Sequence, residues 1–436
     1  MGESAIGIIR ISGPAALATA ARILKPPARL DEVSSHKLRR IAVVDPATGE
    51  RVDQALCAVM RAPGSYTGED VVELSCHGSP PLLRMVTRWL IEAGARLAEP
   101  GEFTRRAFLN GRLDLAQAEA VALLIGARTE RAVALAARAL AGGLADLVRA
   151  QREDLLDLVA GLEVTLDFPD EHVGIDVEKA RHEVERLQGE VERLAAAARQ
   201  GRVVHEGITV ALVGPPNAGK SSLLNALVGR DRAIVAPTPG TTRDVVEGAL
   251  TLEGVPVRLL DTAGLDLPRD PIEAEGIRRS RRAIEESDLL LVVLDGSLEP
   301  DARVLAETAG RARILVRAKS DLLPHPVAAA LADAVAVSAR AGDGLDALAR
   351  RLAEEVGRRA ASLGDEGGIV ASLRQMELLD GLARALRSGA VALAEAPLEV
   401  ALVDLREALG LTSAILGVEV ADAVLDRIFS SFCLGK

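Results

Sequence analysis

Eight consecutive residues near mid-chain, Gly214-Pro215-Pro216-Asn217-Ala218-Gly219-Lys220-Ser221, limit the fold more than any other stretch. They fit the spacing G-x-x-x-x-G-K-[ST], whose glycines let backbone N–H groups curl around phosphate oxygens. An apolar run at residues 208–213 precedes them, and an apolar helical pattern follows at residues 222–228. Strand, loop and helix in that order bring the helix N-terminus, with its partial positive charge, up to the phosphates. On this reading Asn217, Ala218, Gly219, Lys220, Ser221 and Ser222 line the phosphates. Lys220 reaches the β- and γ-phosphates and the Ser221 hydroxyl binds Mg²⁺. A chance Gly-rich turn is the competing account, and the flanking strand and helix weigh against it.

Three later loops narrow the nucleotide to GTP. Asp261-Thr262-Ala263-Gly264 closes an apolar run at residues 257–260. An aspartate there holds the Mg²⁺ water shell, and the Gly264 amide senses a γ-phosphate. Ala318-Lys319-Ser320-Asp321 ends the run at residues 314–316. The Asp321 carboxylate can accept both the N1–H and the exocyclic amine of guanine, a pair adenine does not offer. Ser338-Ala339-Arg340 follows residues 334–337 and would bring a backbone amide to the guanine O6. Loops at the C-terminal ends of strands are where an open α/β sheet binds ligand. Each tetrapeptide is weak alone; the ordered set is specific. The guanine loop usually opens with Asn, which braces the phosphate loop, and here Ala318 stands in its place. The expectation is a guanine preference kept by Asp321, with weakened affinity.

A chain of 436 residues, 49% hydrophobic and 26% charged, has room for two or three globular domains. No apolar run approaches the roughly 20 residues of a membrane span, and no basic-then-apolar signal opens the chain. Cys57, Cys76 and Cys433 are few and widely spaced. They point to a reducing, cytoplasmic compartment with no disulfide framework or metal knuckle. The net charge of −11 does not draw the whole chain to nucleic acid, so any RNA contact would be local or made through a partner. Aromatic residues are only 2% and absent from residues 206–357, which argues against a base-stacking platform there. Tyr66, Trp89, Phe103 and Phe108 fall in the first quarter. Core filling is the plainer account of them, and a flat ring ligand would be held there if anywhere.

The expected fold class is multidomain α/β. Residues 1–110 mix short alternating runs with Gly/Pro turns and read as α+β. Residues 111–205 are Ala/Leu/Glu/Arg-rich with helical spacing. Around Gly201 the pattern changes to strands and loops, giving a Ras-like P-loop domain with a mostly parallel sheet over residues 206–357. Residues 358–436 return to helix after Gly364-Asp365-Glu366-Gly367-Gly368. The simplest architecture is a helical bundle with the P-loop domain inserted into it. The Gly364-to-Gly367 spacing matches a GxxG nucleic-acid loop, but its two acids would repel phosphates, so it reads as a linker. Arg278-Arg279-Ser280-Arg281-Arg282 precedes Glu285 and Glu286 and reads as a solvated helix face.

The tail Phe429-Ser430-Ser431-Phe432-Cys433-Leu434-Gly435-Lys436 has a Cys fourth from its end. Gly435 and Lys436 do not suit prenylation. A thiol beside a cation, hence reactive, and a buried structural tail both remain open.

Dispersed blocks then resemble one family along almost the whole chain: the MnmE (TrmE) tRNA-modification GTPases. They include Gly7-Ile8-Ile9-Arg10-Ile11-Ser12-Gly13, Ser65-Tyr66-Thr67-Gly68-Glu69-Asp70 and Cys76-His77-Gly78. Pro100-Gly101-Glu102-Phe103-Thr104-Arg105-Arg106-Ala107-Phe108, Gly240-Thr241-Thr242-Arg243-Asp244 and the Cys-Leu-Gly-Lys end complete the set. The resemblance implies a homodimer whose residues 1–110 bind 5-formyl- or 5,10-methylene-tetrahydrofolate. It implies work with an FAD-containing MnmG (GidA)-like partner, as a heterotetramer or larger, to add an aminomethyl-type group at C5 of the tRNA wobble uridine. By matching position, Arg10, Glu73, Arg112 and Lys436 would contact folate and Cys433 would lie near it. Arg112 stands where the family more often has Lys.

GTP hydrolysis in the family needs K⁺. The resemblance puts Asn217, Ala236, Thr238 and Thr241 around that ion, Ala236 and Thr238 through carbonyls, with Pro237 and Pro239 stiffening the loop. Ser221 and Thr242 would bind Mg²⁺, Asp261 would sit beside them, and Glu273 would orient the attacking water. Two alternatives belong to other classes: a ribosome-assembly GTPase switch, which would carry a KH or other basic RNA domain, and a folate-dependent one-carbon transferase with a nucleotide switch.

Overall fold

The computed structural model describes residues 4–25, 30, 33–168, 175–230, 248–261, 284–360, 368–418, 420–432 and 435, with Arg230 and Ala360 in backbone only. The chain separates into two compact units. One takes Met1–Ala122, Ala145–Asp157 and Leu409–Lys436; the other takes Leu123–Leu144 and Leu158–Ala408.

The first unit is built on an antiparallel sheet of β1 (Ile6–Ser12), β2 (Leu24–Lys25), β3 (Lys37–Val44), β4 (Arg51–Met60) and β5 (Val71–His77), ordered β1-β5-β4-β3-β2. Successive side chains point to opposite faces, and the alternation is plain in β4. Asp53, Ala55, Cys57 and Val59 are buried there, while Gln54 and Leu56 are exposed. Helices α1 (Ala16–Ala21) and α2 (Pro80–Glu92) close the inward face over Ile23, Val43, Val59, Leu74 and Trp89. The outward face keeps an apolar set bare: Ile6, Ile8, Leu38 and Leu56 are 63%, 62%, 67% and 46% exposed. Register sets Ile8 against Ser75, and Ser75 against Leu56.

Four helices follow: α3 (Glu102–Leu109), α4 (Leu115–Gly126), α5 (Glu130–Leu140) and α6 (Gly143–Asp167). Gly101, at the start of α3, has φ +71°, and a Cβ there would stand 2.5 Å from the Phe429 carbonyl oxygen. Only glycine fits both demands.

In the second unit α7 (Val177–Glu206) leads directly into a six-stranded sheet. The sequence pattern set the helix-to-strand change near Gly201, yet the helix runs on to Glu206. Gly201 is there for close packing: a Cβ would meet the Ile369 carbonyl at 1.9 Å. The turn comes at Gly207, with φ +83° and the Pro256 carbonyl only 2.1 Å from where a Cβ would sit.

The sheet and its helices are β6 (Ile208–Val213), α8 (Lys220–Arg230), β7 (Gly248–Leu252), β8 (Val255–Asp261), β9 (Leu289–Asp295), α9 (Ala302–Glu307), β10 (Arg313–Ala318), α10 (Pro326–Ala329), β11 (Val335–Val337) and α11 (Leu345–Ala360). The order is β11-β10-β9-β6-β8-β7, and every neighbouring pair is parallel except β7–β8. Strand β9 reads Leu-Leu-Leu-Val-Val-Leu-Asp and is buried on both faces, as a central parallel strand must be. Its odd positions join one apolar cluster with Val210 and Leu212, and its even positions join another with Ala211 and Val213.

The chain ends in α12 (Leu373–Glu395), α13 (Leu398–Leu416) and α14 (Asp422–Ser430). Along α7 the buried positions Ala180, Val184, Leu187, Val191, Leu194 and Ala198 recur every three or four residues. Leu379, Leu382, Leu386, Gly389 and Leu393 do the same on α12, which packs along it.

Candidate nucleotide site

The site begins where β6 ends. A Cβ on Gly214 would lie 2.1 Å from the Val293 carbonyl of β9, so glycine is needed for the chain to leave the sheet there. Asn217 (φ +59°) and Gly219 (φ +102°) then take left-handed backbone and curl the loop back toward α8. Lys220 opens that helix. Its ammonium, nearly buried, donates to the Gly214 and Pro215 carbonyls, each at 2.9 Å. Its charge therefore stands inside the curl where phosphate oxygens would be received.

Parallel pairing supplies the next group. Leu212 of β6 is in register with Asp261 of β8, which sets the carboxylate beside the loop. Ser221 donates its hydroxyl to Asp261 Oδ2 at 2.5 Å, while Asp261 Oδ1 is buried with no hydrogen-bond partner among the described residues. The Ser221 hydroxyl and the Asp261 carboxylate, one of whose oxygens is unsatisfied, are hard-oxygen groups that suit Mg²⁺.

Three strand ends bring the base loops together. Ala318 closes β10 with its Cβ 3.8 Å from where a Cβ on Gly219 would sit, so position 318 faces the phosphate loop. Lys319 has φ +56° and its ammonium meets Asp295 Oδ2 at 2.6 Å. Asp321 is exposed, and the fully buried Ser338 donates to its Oδ1 at 2.6 Å. That bond, with the Asp321 amide and the Arg340 and Lys319 charges, holds the carboxyl below the usual carboxylate range. The Ser320 amide donates to the Val337 carbonyl at 3.2 Å, tying the two loops. Ala339 and Arg340 follow in the turn closed by the Gly342 amide on the Ser338 carbonyl at 2.8 Å. Ser222 is exposed on the first turn of α8.

The first unit holds a second group of expected residues. Arg10 and Glu73 are cross-strand partners on the outward face and form an ion pair at 2.6 Å. Arg10 also donates to the Gly435 carbonyl at 2.9 Å and lies 5.4 Å above the Phe103 ring centroid. Arg112 is exposed, its Cγ 3.4 Å from where a Cβ on Gly68 would sit. Ser12 and Thr67 share a hydroxyl hydrogen bond at 2.7 Å, and Asn110 donates to the Thr67 carbonyl at 2.6 Å. The Cys57 and Cys76 thiols are buried, and burial pushes both up to about 11, which makes them unreactive.

Ala236, Pro237, Thr238, Pro239, Gly240, Thr241, Thr242, Thr262, Ala263, Gly264, Glu273, Cys433 and Lys436 lie outside the described residues. Among the described residues no helix is long and apolar enough to cross a membrane, and no group of three or more His, Cys, Asp or Glu is arranged to hold a metal.

Sequence reasoning missed two structured charge groups. One is Asp295, the acid that ends the otherwise apolar β9. The other is Glu102, 9% exposed, which accepts from Arg96 (2.8 Å), the Glu99 amide (2.9 Å) and Arg106 (2.6 Å). Burial alone would raise the Glu102 carboxyl, but these bonds outweigh it and bring it to about 2. The i,i+4 spacing of Glu102 and Arg106 was legible; the approach of Arg96 was not.

A mostly parallel sheet in which β6 delivers a glycine loop and a buried lysine, β8 sets an aspartate beside the loop serine, and Asp321 follows β10, defines a P-loop GTPase. A family model described as the GTP-binding protein TrmE N-terminus matches residues 1–112, and one described as the MnmE helical domain matches residues 115–433. The chain belongs to the MnmE (TrmE) family. It is 44% identical to the tRNA modification GTPase MnmE of Moorella thermoacetica over 450 residues, covering 100% of this chain and 97% of that protein. It is 46% identical to the tRNA modification GTPase MnmE of Symbiobacterium thermophilum over 453 residues, with the same coverage, 100% and 97%. Among solved structures it is similar to the G domain of the T. maritima FeoB iron transporter, with 30% identity, a TM-score of 0.27, and 34% of this chain and 98% of that one covered.

Proposed function

We propose that this GTP hydrolase of the MnmE family is K⁺-dependent and that it serves C5 modification of the tRNA wobble uridine. The observation that carries GTP chemistry is the Ser221–Asp261 pair, 2.5 Å apart at the mouth of the phosphate loop and set by strand register. Ser221 and Asp261 would hold Mg²⁺ with Thr242, and that ion neutralises charge developing on the β- and γ-phosphates. Lys220 binds the phosphates and Asp321, aimed by Ser338, selects guanine. Asn217 stands on the curl of the loop, where with Ala236, Thr238 and Thr241 it would hold K⁺. A cation there supplies the positive charge that other GTPases take from an arginine finger. Glu273 would orient the attacking water.

The folate part of the proposal draws on Arg10, Glu73 and the Gly435 carbonyl, which already meet on one sheet face, with Arg112 and Lys436 completing the set. The bare row Ile6, Ile8, Leu38 and Leu56 favours a homodimer through residues 1–110, because a solitary sheet would leave that face in water. An FAD-containing MnmG-like protein is the proposed partner and main carrier of tRNA, in the cytoplasm. The division at residues 110, 205 and 357 belongs to the same proposal. Two measurements test it. GTP turnover should be high in K⁺, low in Na⁺ and low in Asn217→Ala, and equal rates in both salts would refute K⁺ dependence. Mass spectrometry of wobble uridines from cells lacking this chain should show loss of the C5 substituent; its persistence would refute the tRNA role.

A further inference from the structure

We infer that Asp295 is a positioning residue for guanine recognition: it holds Lys319, and with it the loop carrying Asp321, in the attitude that reads the base. The inference rests on taking Ala318-Lys319-Ser320-Asp321 as the base loop.

Asp295 is the last residue of β9, 9% exposed, in register with Ala318 of β10. Both of its oxygens are engaged. Oδ2 accepts from the Lys319 ammonium at 2.6 Å. Oδ1 accepts from the Ser297 amide at 3.0 Å and the Ser297 hydroxyl at 2.6 Å. Burial pushes the carboxyl up, and the bonds from Lys319 and Ser297 outweigh it, so it stays ionised at neutral pH. The turn after Asp295 lies directly on the base loop. The Gly296 amide donates to the Ala318 carbonyl at 2.8 Å, and a Cβ on Gly296 would stand 2.8 Å from that same oxygen.

Lys319 needs such an anchor. Its backbone sits at φ +56°, a region a lysine rarely adopts without outside support. Its side chain is 37% exposed, and a free four-carbon stem would sample many rotamers. Fixing the ammonium on Asp295 fixes the stem and the backbone turn that leads to Asp321. The need is greater here because the side chain of Ala318 stops at Cβ and offers the phosphate loop no polar group.

The test is a double-mutant cycle on the full-length chain, read as GDP, GTP and ADP affinity with circular dichroism as the folding control. Asp295→Asn keeps the size of the side chain and an acceptor for Ser297 but removes the charge. It should weaken GDP and GTP equally, by about 10-fold, because the defect lies at the base and not at the phosphates. Lys319→Met should weaken both as well, and the double variant should bind no worse than the weaker single one. Ser297→Ala, which loosens Asp295 without touching Lys319, should move affinity in the same direction by less; no change there counts against the inference even if Asp295→Asn folds poorly. Losses that simply add, or a loss in Asp295→Asn that differs between GDP and GTP, would overturn it. A wild-type chain that bound ADP as well as GDP would overturn the base-loop reading and this inference together.

Discussion

Ala318→Asn is expected to tighten guanine-nucleotide binding. Ala318 is 6% exposed at the end of β10, and its Cβ lies 3.8 Å from where a Cβ on Gly219 would sit. An Asn amide extends roughly 2.5 Å beyond Cβ, about two bond lengths, which is enough to reach the backbone of the phosphate loop. One added hydrogen bond contributes about 0.5–1.5 kcal/mol net, or about 2- to 12-fold in Kd. Opposing it is the cost of a larger side chain in a packed site, about 1 kcal/mol if the neighbours do not yield. With that cost incurred in full the net gain is at most about 0.5 kcal/mol, so the expected tightening is about 2-fold, and larger only as far as the neighbours yield. Titration calorimetry with GDP and Mg²⁺ measures it, and GTP should gain equally because the brace does not touch the γ-phosphate. Ala318→Val, which fills similar space without a hydrogen bond, should give no gain. Unchanged or weaker binding in a stably folded Ala318→Asn protein, or an equal gain in Ala318→Val, would refute the bracing argument.

Glu273→Ala should cut turnover by roughly 10²-fold at saturating GTP and K⁺ while leaving GTP affinity unchanged, and near-normal turnover would remove Glu273 from the mechanism. Gly207→Ala should destabilise the second unit by at least about 1–3 kcal/mol, since it forces a side chain into left-handed backbone against a carbonyl; an unchanged melting temperature would contradict this. Glu102 should make the first unit acid-sensitive. Its pKa falls from 4.5 to about 2 on folding, so its contribution is fully present above pH 4.5 and is lost as pH drops toward 2. The effect is on the order of 2 kcal/mol, discounted because Arg96 is largely exposed, and Glu102→Gln should flatten that part of the pH–stability curve.

Much of the sheet in the second unit was legible because apolar runs bounded by glycine or acid mark parallel strands. Residues 208–213 became β6 without adjustment. The phosphate loop was legible because its spacing is itself geometric. Gly201 misled, since a glycine placed for close packing looks the same in sequence as one placed for a turn. Asp295 passed unnoticed because its partner is 24 residues away and meets it only through β9–β10 pairing. Asp53 is similar. Its inward parity with Ala55 and Cys57 was readable, but the 2.6 Å bond that makes burial tolerable comes from His77 on the next strand. Local periodicity finds elements; the partners of buried charges depend on register, which periodicity does not encode.

The single-residue joint at Gly207 has a mechanical consequence. Helix α7 has 30 residues, so it is a rod about 45 Å long whose C-terminal end is spliced straight into the strand that carries the phosphate loop. A tilt of only 10° about that joint would sweep the far end through about 8 Å. Any rearrangement around a nucleotide that tilted this joint would be geared up along the rod, because only Gly207 stands between the helix and the strand.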